Sequence, residues 1–103
     1  MGNPSQRARL VIQNGDLKGK EFVLEGTEAI IGRSRSTDIT INDDGISREH
    51  TVILYDDETD VYSVEDLQST NGTQVNGKRV RSAELVNGDQ IQIGRTRFEF
   101  IRD

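Results

Sequence analysis

The sequence of 103 residues contains no cysteine and no tryptophan, and it has only one proline and one histidine. The lack of cysteine excludes disulfide bonds and thiolate zinc sites. The longest apolar runs, such as Leu10–Ile12 and Val52–Leu54, are far too short to span a bilayer. Met1–Gln6 also lacks the basic-then-apolar organisation of a secretory signal. We therefore expect a soluble, cytoplasmic domain.

Positive charge is also scarce, with 13 Lys and Arg against 18 Asp and Glu, which gives a formal net charge of -5. Nucleic acids and anionic membranes attract broadly positive surfaces, so neither is an expected partner. The length is that of one domain. We expect residues 1–6 to form a flexible, polar N-terminal tail and residues 7–103 to form the domain.

Helical periodicity is missing as well, because no stretch repeats apolar residues at i, i+3, i+4 and i+7. Short alternating or apolar runs take its place, at Leu10–Ile12, Phe22–Leu24, Ile39–Ile41, Thr51–Tyr55, Val61–Val64, Ile91–Ile93 and Phe98–Phe100. Turn signals separate them, at Asn14-Gly15, Asp44-Gly45, Asn71-Gly72, Asn76-Gly77 and Asn87-Gly88. Many short strands with such turns predict an all-β sandwich or barrel.

Two partial matches to ligand-binding motifs fail on their context. Gly72–Lys78 fits the first seven positions of G-x-x-x-x-G-K, but Arg79 stands where Ser or Thr should ligate magnesium, and no helix is predicted to follow. Asn76-Gly77 is better explained as a hairpin turn. Asp56–Asp60 resembles the start of a calcium loop but lacks the required Gly and bidentate Glu, so we interpret it as a solvated turn.

The only histidine, His50, lies three residues after Ser47, which raises the question of a nucleophilic pair. Such a pair also needs an orienting acid and oxyanion donors, and no G-x-S-x-G motif is present. A buried histidine that holds a loop in place by hydrogen bonds explains this position better.

Cationic and hydroxyl side chains alternate in several predicted loops. They are Arg33, Arg35, Arg48, Lys78, Arg79 and Arg81, with Ser34, Ser36, Ser47, Ser69 and Thr70 between or beside them. Guanidinium forks and hydroxyl groups complement a phosphorylated side chain, which carries about -1.5 to -2 charges and three acceptor oxygens. Ordinary surface arginines paired with the abundant carboxylates explain the same residues equally well.

The order of these residues resembles the forkhead-associated (FHA) domain. The matching blocks are Gly32-Arg33-Ser34, Asp38-Ile39, Ser47-Arg48-Glu49-His50, Asp66-Leu67, Ser69-Thr70-Asn71-Gly72-Thr73, Val75-Asn76-Gly77, Leu85, Gly88-Asp89, Ile91, Ile93-Gly94 and Phe98. The resemblance implies a sandwich of two twisted, mainly antiparallel sheets with about eleven strands. It also implies binding of phosphothreonine peptides through loops at one end.

The resemblance assigns the peptide site to five residues. Arg33 and Ser47 correspond to the arginine and the hydroxyl that meet the phosphate, and Arg48 and Thr70 to neighbouring phosphate contacts. Asn71 corresponds to the asparagine whose amide holds the peptide backbone just after the phosphothreonine. No catalytic residue, cofactor or metal is implied.

The resemblance assigns supporting roles to further residues. Gly32, His50, Asn76 and Gly77 look structural, the glycines by permitting turns and His50 by bracing the binding loops. Arg35 and Arg79 are expected near residues that follow the phosphothreonine, where they could set sequence preference. We expect Ile46 to help form a small apolar depression for the threonine γ-methyl. Gln68 departs from the family, which usually has Gly there, and a non-Gly residue is costly at positive φ.

The sequence therefore predicts a non-catalytic module that binds phosphothreonine proteins made by a Ser/Thr kinase. Two alternatives stay open: a phosphate-ester hydrolase, and a scaffold that binds partners on a sheet face without phosphorylation. The chain is expected to be either a stand-alone adaptor or part of a larger signalling protein.

Overall fold

The computed structural model of the chain describes residues 8–102, so the expected tail at residues 1–6 lies outside the described residues. The eleven strands are β1 (Ala8–Ile12), β2 (Glu21–Leu24), β3 (Glu28–Gly32), β4 (Ile39–Thr40), β5 (Thr51–Asp56), β6 (Val61–Asp66), β7 (Thr73–Val75), β8 (Lys78–Val80), β9 (Ser82–Leu85), β10 (Gln90–Ile93) and β11 (Thr96–Arg102). Within these residues no helix is long and apolar enough to cross a membrane.

The strands form two sheets that face each other. One has six strands in the order β2-β1-β11-β10-β7-β8, and the other has five in the order β4-β3-β5-β6-β9. The short β3–β4 pair is parallel, and the other pairs are antiparallel. The predicted all-β sandwich of two mainly antiparallel sheets and about eleven strands is confirmed.

Alternation along the strands builds the core, because every second side chain of a strand points to the same face. The six-stranded sheet contributes the buried side chains of Leu10 and Ile12 from β1 and of Phe98 and Phe100 from β11. The five-stranded sheet contributes, among others, the buried side chains of Ile31, Ile53, Tyr62 and Val64. The Tyr62 ring lies 5.3 Å from the Phe100 ring between centroids, which joins the two sheets. Apolar burial of this kind holds the sandwich together.

Seven strands match the predicted runs, and β7 and β8 form the hairpin predicted at Asn76-Gly77, but β3 and β9 were not predicted. In β3, Glu28–Gly32 carries three consecutive apolar residues, which do not alternate. In β9, Ser82–Leu85 is short and half polar, and only Leu85 is fully buried. β3 lacks a clear period of two, and the alternation in β9 covers only four residues with one large apolar side chain, so both signals in the sequence are weak.

Four of the five predicted turn glycines have the positive φ that tight turns favour. The backbones of Gly15, Gly72, Gly77 and Gly88 have positive φ, and Asn76 joins Gly77 in a two-residue hairpin turn. Gly45 also lies in a turn, where the Ile46 N–H donates to the Asp43 carbonyl at 2.9 Å, but its backbone does not have positive φ. A Cβ there would meet the Gly94 Cα at 3.0 Å, so close backbone approach is the reason for this glycine.

Five loops lie at the same end of the sandwich, because the strands that they connect begin or end there. These are the β1–β2 loop (residues 13–20), the β3–β4 loop (33–38), the β4–β5 loop (41–50), the β6–β7 loop (67–72) and the β10–β11 turn (94–95). Side-chain hydrogen bonds between loops fix the arrangement, for example from the Asn14 amide to the Arg95 carbonyl at 2.8 Å.

We expect Gln68→Gly to stabilise the fold, because Gln68 has φ 57° in the β6–β7 loop. A left-handed conformation costs a non-Gly residue about 1 to 2 kcal/mol, and glycine's greater freedom in the unfolded chain offsets part of the gain. The free energy of unfolding in urea should rise by about 0.5 to 1 kcal/mol. Glu84→Gly, on the extended strand β9, should lower it instead. A Gln68→Gly variant less stable than wild type would contradict this explanation.

Candidate functional site

A fully buried histidine holds two of the loops together. His50 is 0% exposed, and its Nδ1 accepts the backbone N–H of Ser47 at 3.0 Å. Its Nε2 lies 2.8 Å from the carbonyl oxygen of Gly72. Because Nδ1 accepts, the tautomer that satisfies both contacts carries its proton on Nε2. The ring therefore fixes the distance between the β4–β5 and β6–β7 loops.

The β3–β4 loop is joined to the β4–β5 loop through backbone. The N–H groups of Arg33 and Ser34 donate to the carbonyl oxygens of Ser47 and Arg48, each at 3.1 Å. Gly32 permits this approach, since a Cβ at Gly32 would overlap the Arg48 carbonyl. The expected role of Gly32 as a turn glycine is wrong, because it lies in strand β3 without positive φ. Its hydrogen side chain makes room for the neighbouring loop.

The three loops enclose an open depression of about 360 Å³, which we call the loop depression. Its lining consists of Arg33, Asp44, Gly45, Ile46, Ser47, Arg48, Thr70 and Asn71. All five residues assigned to the peptide site are thus brought together from three separate loops. Arg33, Arg48, Thr70 and Asn71 are exposed, and Ser47 is half-buried. Two guanidinium groups and two hydroxyl groups therefore converge on one accessible space, with one carboxylate among them.

Two hydrogen bonds orient the polar groups of this depression. The Ser47 Oγ accepts the Thr70 N–H at 3.1 Å, which leaves the serine's own hydroxyl hydrogen as the group it can donate outward. The Asn71 Nδ2 donates to the Gly45 carbonyl at 2.9 Å, which fixes the amide plane. Both contacts tie the β6–β7 loop to the β4–β5 loop at the mouth of the site.

Asp66, at the end of β6, supports the β6–β7 loop from below. Its carboxylate accepts hydrogen bonds from the Ser69 N–H at 3.1 Å, the Ser69 hydroxyl at 2.6 Å and the Thr73 hydroxyl at 2.8 Å. The Ser69 Oγ in turn accepts the Gly72 N–H at 2.9 Å. Burial raises the pKa of Asp66, but the hydrogen bonds from Ser69 and Thr73 outweigh burial, so its pKa lies below the ordinary 3.8.

Asp43 supports the β4–β5 loop in the same way. Its carboxylate accepts the N–H groups of Gly45 and Arg95 at 2.8 Å each, and the Thr96 hydroxyl at 2.9 Å. Burial raises the pKa of Asp43, and these hydrogen bonds lower it more, so it also lies below 3.8. The sequence reading missed Asp43 and did not give Asp66 a role. The sequence offered two signals for these roles. One is the carboxylate two residues before Gly45, and the other is the carboxylate three residues before Ser69.

The remaining predicted residues lie at or beyond the edge of the loop depression. Arg35 is exposed in the β3–β4 loop, which Thr37 closes by donating its hydroxyl to the Ser34 carbonyl at 2.7 Å. The Arg79 guanidinium covers the backbone of Gly72. Asn76 lies outside the depression and ties the β7–β8 turn to β10, where its Oδ1 accepts the Gln90 N–H at 2.9 Å. Among the described residues no group of three or more His, Asp and Glu could hold a metal ion.

Comparison with known proteins gives consistent results. The family model described as "FHA domain" matches residues 29–94. The chain is 39% identical to the glycogen accumulation regulator GarA of Mycolicibacterium smegmatis, over 97% of this chain and 62% of that protein. It is 38% identical to the oxoglutarate dehydrogenase inhibitor of Corynebacterium jeikeium, over 97% of this chain and 68% of that protein. The chain thus spans about three fifths of the length of the first curated relatives it matches.

A solved structure extends the likeness to the fold. It comes from a study of phosphothreonine-dependent FHA domain interactions and superimposes with a TM-score of 0.86 at 32% sequence identity. The match covers 94% of this chain and 97% of that chain.

We expect His50→Ala to weaken both stability and ligand binding, although His50 has no exposed surface with which to contact a ligand. The substitution leaves the Ser47 N–H and the Gly72 carbonyl without their buried partner, at a cost of about 1 to 3 kcal/mol in unfolding free energy. Urea denaturation and titration calorimetry with a phosphopeptide measure the two effects. Full stability together with full binding would show that His50 does not brace the loops.

The lowered pKa values of Asp43 and Asp66 predict acid sensitivity. An aspartate whose pKa is lower in the folded than in the unfolded state contributes its full stabilisation above the unfolded value of 3.8. That contribution is lost as the pH falls through the folded value. Unfolding free energy measured from pH 7 to pH 3 should therefore drop below about pH 4. Asp66→Asn should be less stable at pH 7 and show a shallower drop, whereas Glu65→Gln on the exposed face of β6 should follow wild type.

Proposed function

The chain belongs to the FHA domain family, and we propose that it is a non-catalytic module that binds proteins phosphorylated on threonine. The resemblance predicted from the sequence is confirmed. The observation that carries the proposal is the convergence of Arg33, Ser47, Arg48, Thr70 and Asn71 on one loop depression. The binding roles of these five residues are likewise proposed.

Each group has a proposed role that its chemistry supports. Arg33 and Arg48 supply guanidinium groups, which form charge-assisted hydrogen bonds with phosphate oxygens. Ser47 and Thr70 add hydroxyl donors. Asn71, whose Nδ2 is committed to Gly45, presents its Oδ1 as an acceptor for a peptide N–H. The site would read both the phosphate and the adjoining backbone.

Hydrolysis of the phosphate is not part of the proposed function. A phosphatase would need a nucleophile activated by a neighbouring base, or a bound metal, at the anion site. The only histidine has both ring nitrogens within hydrogen-bond distance of backbone groups and lies under the loops, where it cannot reach a ligand. Two relatives carry the names of a regulator and an inhibitor. Incubation with a phosphopeptide should release no inorganic phosphate.

The partner we propose is a phosphothreonine protein made by a Ser/Thr kinase. Arg79 would contact residues that follow the phosphothreonine, because its side chain covers Gly72, the neighbour of Asn71. Arg35 is the second candidate for such contacts. The cytoplasmic location and the absence of nucleic-acid and membrane partners stay predictions.

Matched peptides carrying Thr, phosphoserine or phosphothreonine test the function. We expect no measurable binding of the Thr peptide. Burial of one methyl is worth about 0.8 kcal/mol, or about fourfold in affinity, in favour of phosphothreonine over phosphoserine. The stiffer β-branched side chain and the contacts of a fitted pocket should raise this preference to about tenfold or more. Ile46 lines the depression but is only 1% exposed, so just the edge of its side chain can meet the methyl. Titrations at one salt concentration measure the ratios. Equal binding of Thr and phosphothreonine peptides would favour the phosphate-independent scaffold instead.

Arg33→Ala should remove most of the phosphate affinity and leave the fold intact, because Arg33 is an exposed loop residue. Loss of a charge-assisted contact costs on the order of 2 to 4 kcal/mol in binding. Arg97→Ala removes the same charge from the outer face of β11 and should bind nearly as well as wild type. Unchanged affinity in a folded Arg33→Ala protein would exclude Arg33 from the site.

A further inference from the structure

A second, larger cleft adjoins the loop depression. It has a volume of about 660 Å³ and lies between the β1–β2 loop, the β4–β5 loop and the β10–β11 turn. Asp44 and Gly45 line both spaces, so they form the wall where the two meet. A ligand that fills the loop depression can therefore continue directly into this space, which we call the acidic cleft.

The acidic cleft combines apolar surface with negative charge. Leu17, 41% exposed, is the accessible apolar side chain of its lining, because the lining side chains of Ile12 and Ile41 are only 1% and 2% exposed. Three carboxylates, those of Asp16, Asp43 and Asp44, also line it, against the single guanidinium of Arg95. Asp43 is engaged by the β10–β11 turn, whereas Asp16 and Asp44 are exposed to a ligand.

The charge of the acidic cleft is opposite to that of the loop depression. Two guanidinium groups and one carboxylate line the depression, and three carboxylates and one guanidinium line the cleft. A ligand that complements both spaces must carry a dense anion and, close to it, a cation. Apolar surface beside carboxylates suits a lysine or arginine, whose aliphatic stem packs on apolar atoms while its charged end stays at the rim.

We propose that the acidic cleft binds a lysine or arginine side chain of the same phosphopeptide, a few residues from the phosphothreonine. An extended peptide advances about 3.3 to 3.6 Å per residue, so a long side chain two to four residues away can reach the neighbouring space. This inference rests on the proposed function of the loop depression. It adds a preference for basic flanking residues, which the phosphate contacts alone do not produce.

The test is a double-mutant cycle between peptide and protein. A phosphothreonine peptide with alanine at the flanking positions is compared with versions that carry one lysine at each position in turn, on both sides. At one position lysine should raise the affinity about two- to fivefold at low salt, the range of a partly exposed ion pair. Norleucine at that position separates the aliphatic stem from the charge.

The protein side of the cycle uses Asp16→Asn, because Asp16 lines the acidic cleft and is not in the loop depression. This variant should lose the preference for lysine over norleucine and keep the affinity for the alanine peptide within about twofold. Asp57→Asn, in the β5–β6 turn at the other end of β5, removes the same charge and should keep the preference. The cycle cancels the effect of net charge, since both variants differ from wild type by one carboxylate.

The outcomes separate the inference from the function on which it rests. Two outcomes would overturn the acidic cleft as the lysine site and leave the proposed function standing. In the first, lysine changes the affinity for the phosphothreonine peptide at no position. In the second, Asp16→Asn keeps the preference for lysine. Failure of every phosphopeptide to bind would overturn both.

Discussion

The site depends on one buried imidazole whose two nitrogens face opposite loops. His50 accepts the N–H of Ser47 on one side and meets the carbonyl of Gly72 on the other. A buried polar group is costly unless it is paired, so either loop can move only by breaking a hydrogen bond that water cannot replace. The Ser47–Thr70 contact at the mouth of the site is possible because this ring sets the loop separation below it.

Two carboxylates also support the binding loops, although the site that these loops form is basic. Asp43 and Asp66 each accept three hydrogen bonds from loop backbone and hydroxyl groups, and their lowered pKa values express that pairing. These two carboxylates are paired with backbone and hydroxyl donors, whereas the guanidinium groups of Arg33 and Arg48 are exposed at the loop depression. Net charge therefore says little about the charge that a ligand meets.

Local features of the structure could be predicted from the sequence, and contacts between distant segments could not. The Asn76-Gly77 turn follows from the backbone preferences of its two residues, and the cost at Gln68 follows from the resemblance, which has Gly at that position. Positive φ is found at both places. Gly32 and Gly45 are determined by backbone from elsewhere, the Arg48 carbonyl and Gly94. The contact of Asp43 with Thr96 joins residues 53 positions apart. A motif identifies such residues but does not reveal which neighbour requires them.

The same wall residues connect the two spaces at the loop end. Asp43 holds the N–H of Gly45, and Asn71 holds its carbonyl, so this one peptide segment is fixed from both sides. The depression that would take the phosphate and the cleft that would take a basic residue share it. Because the segment is fixed before a ligand arrives, little conformational entropy is lost there on binding. The phosphate and the basic side chain of a peptide would then bind on either side of the same rigid segment. The spacing between phosphate and cation therefore becomes part of what the protein recognises.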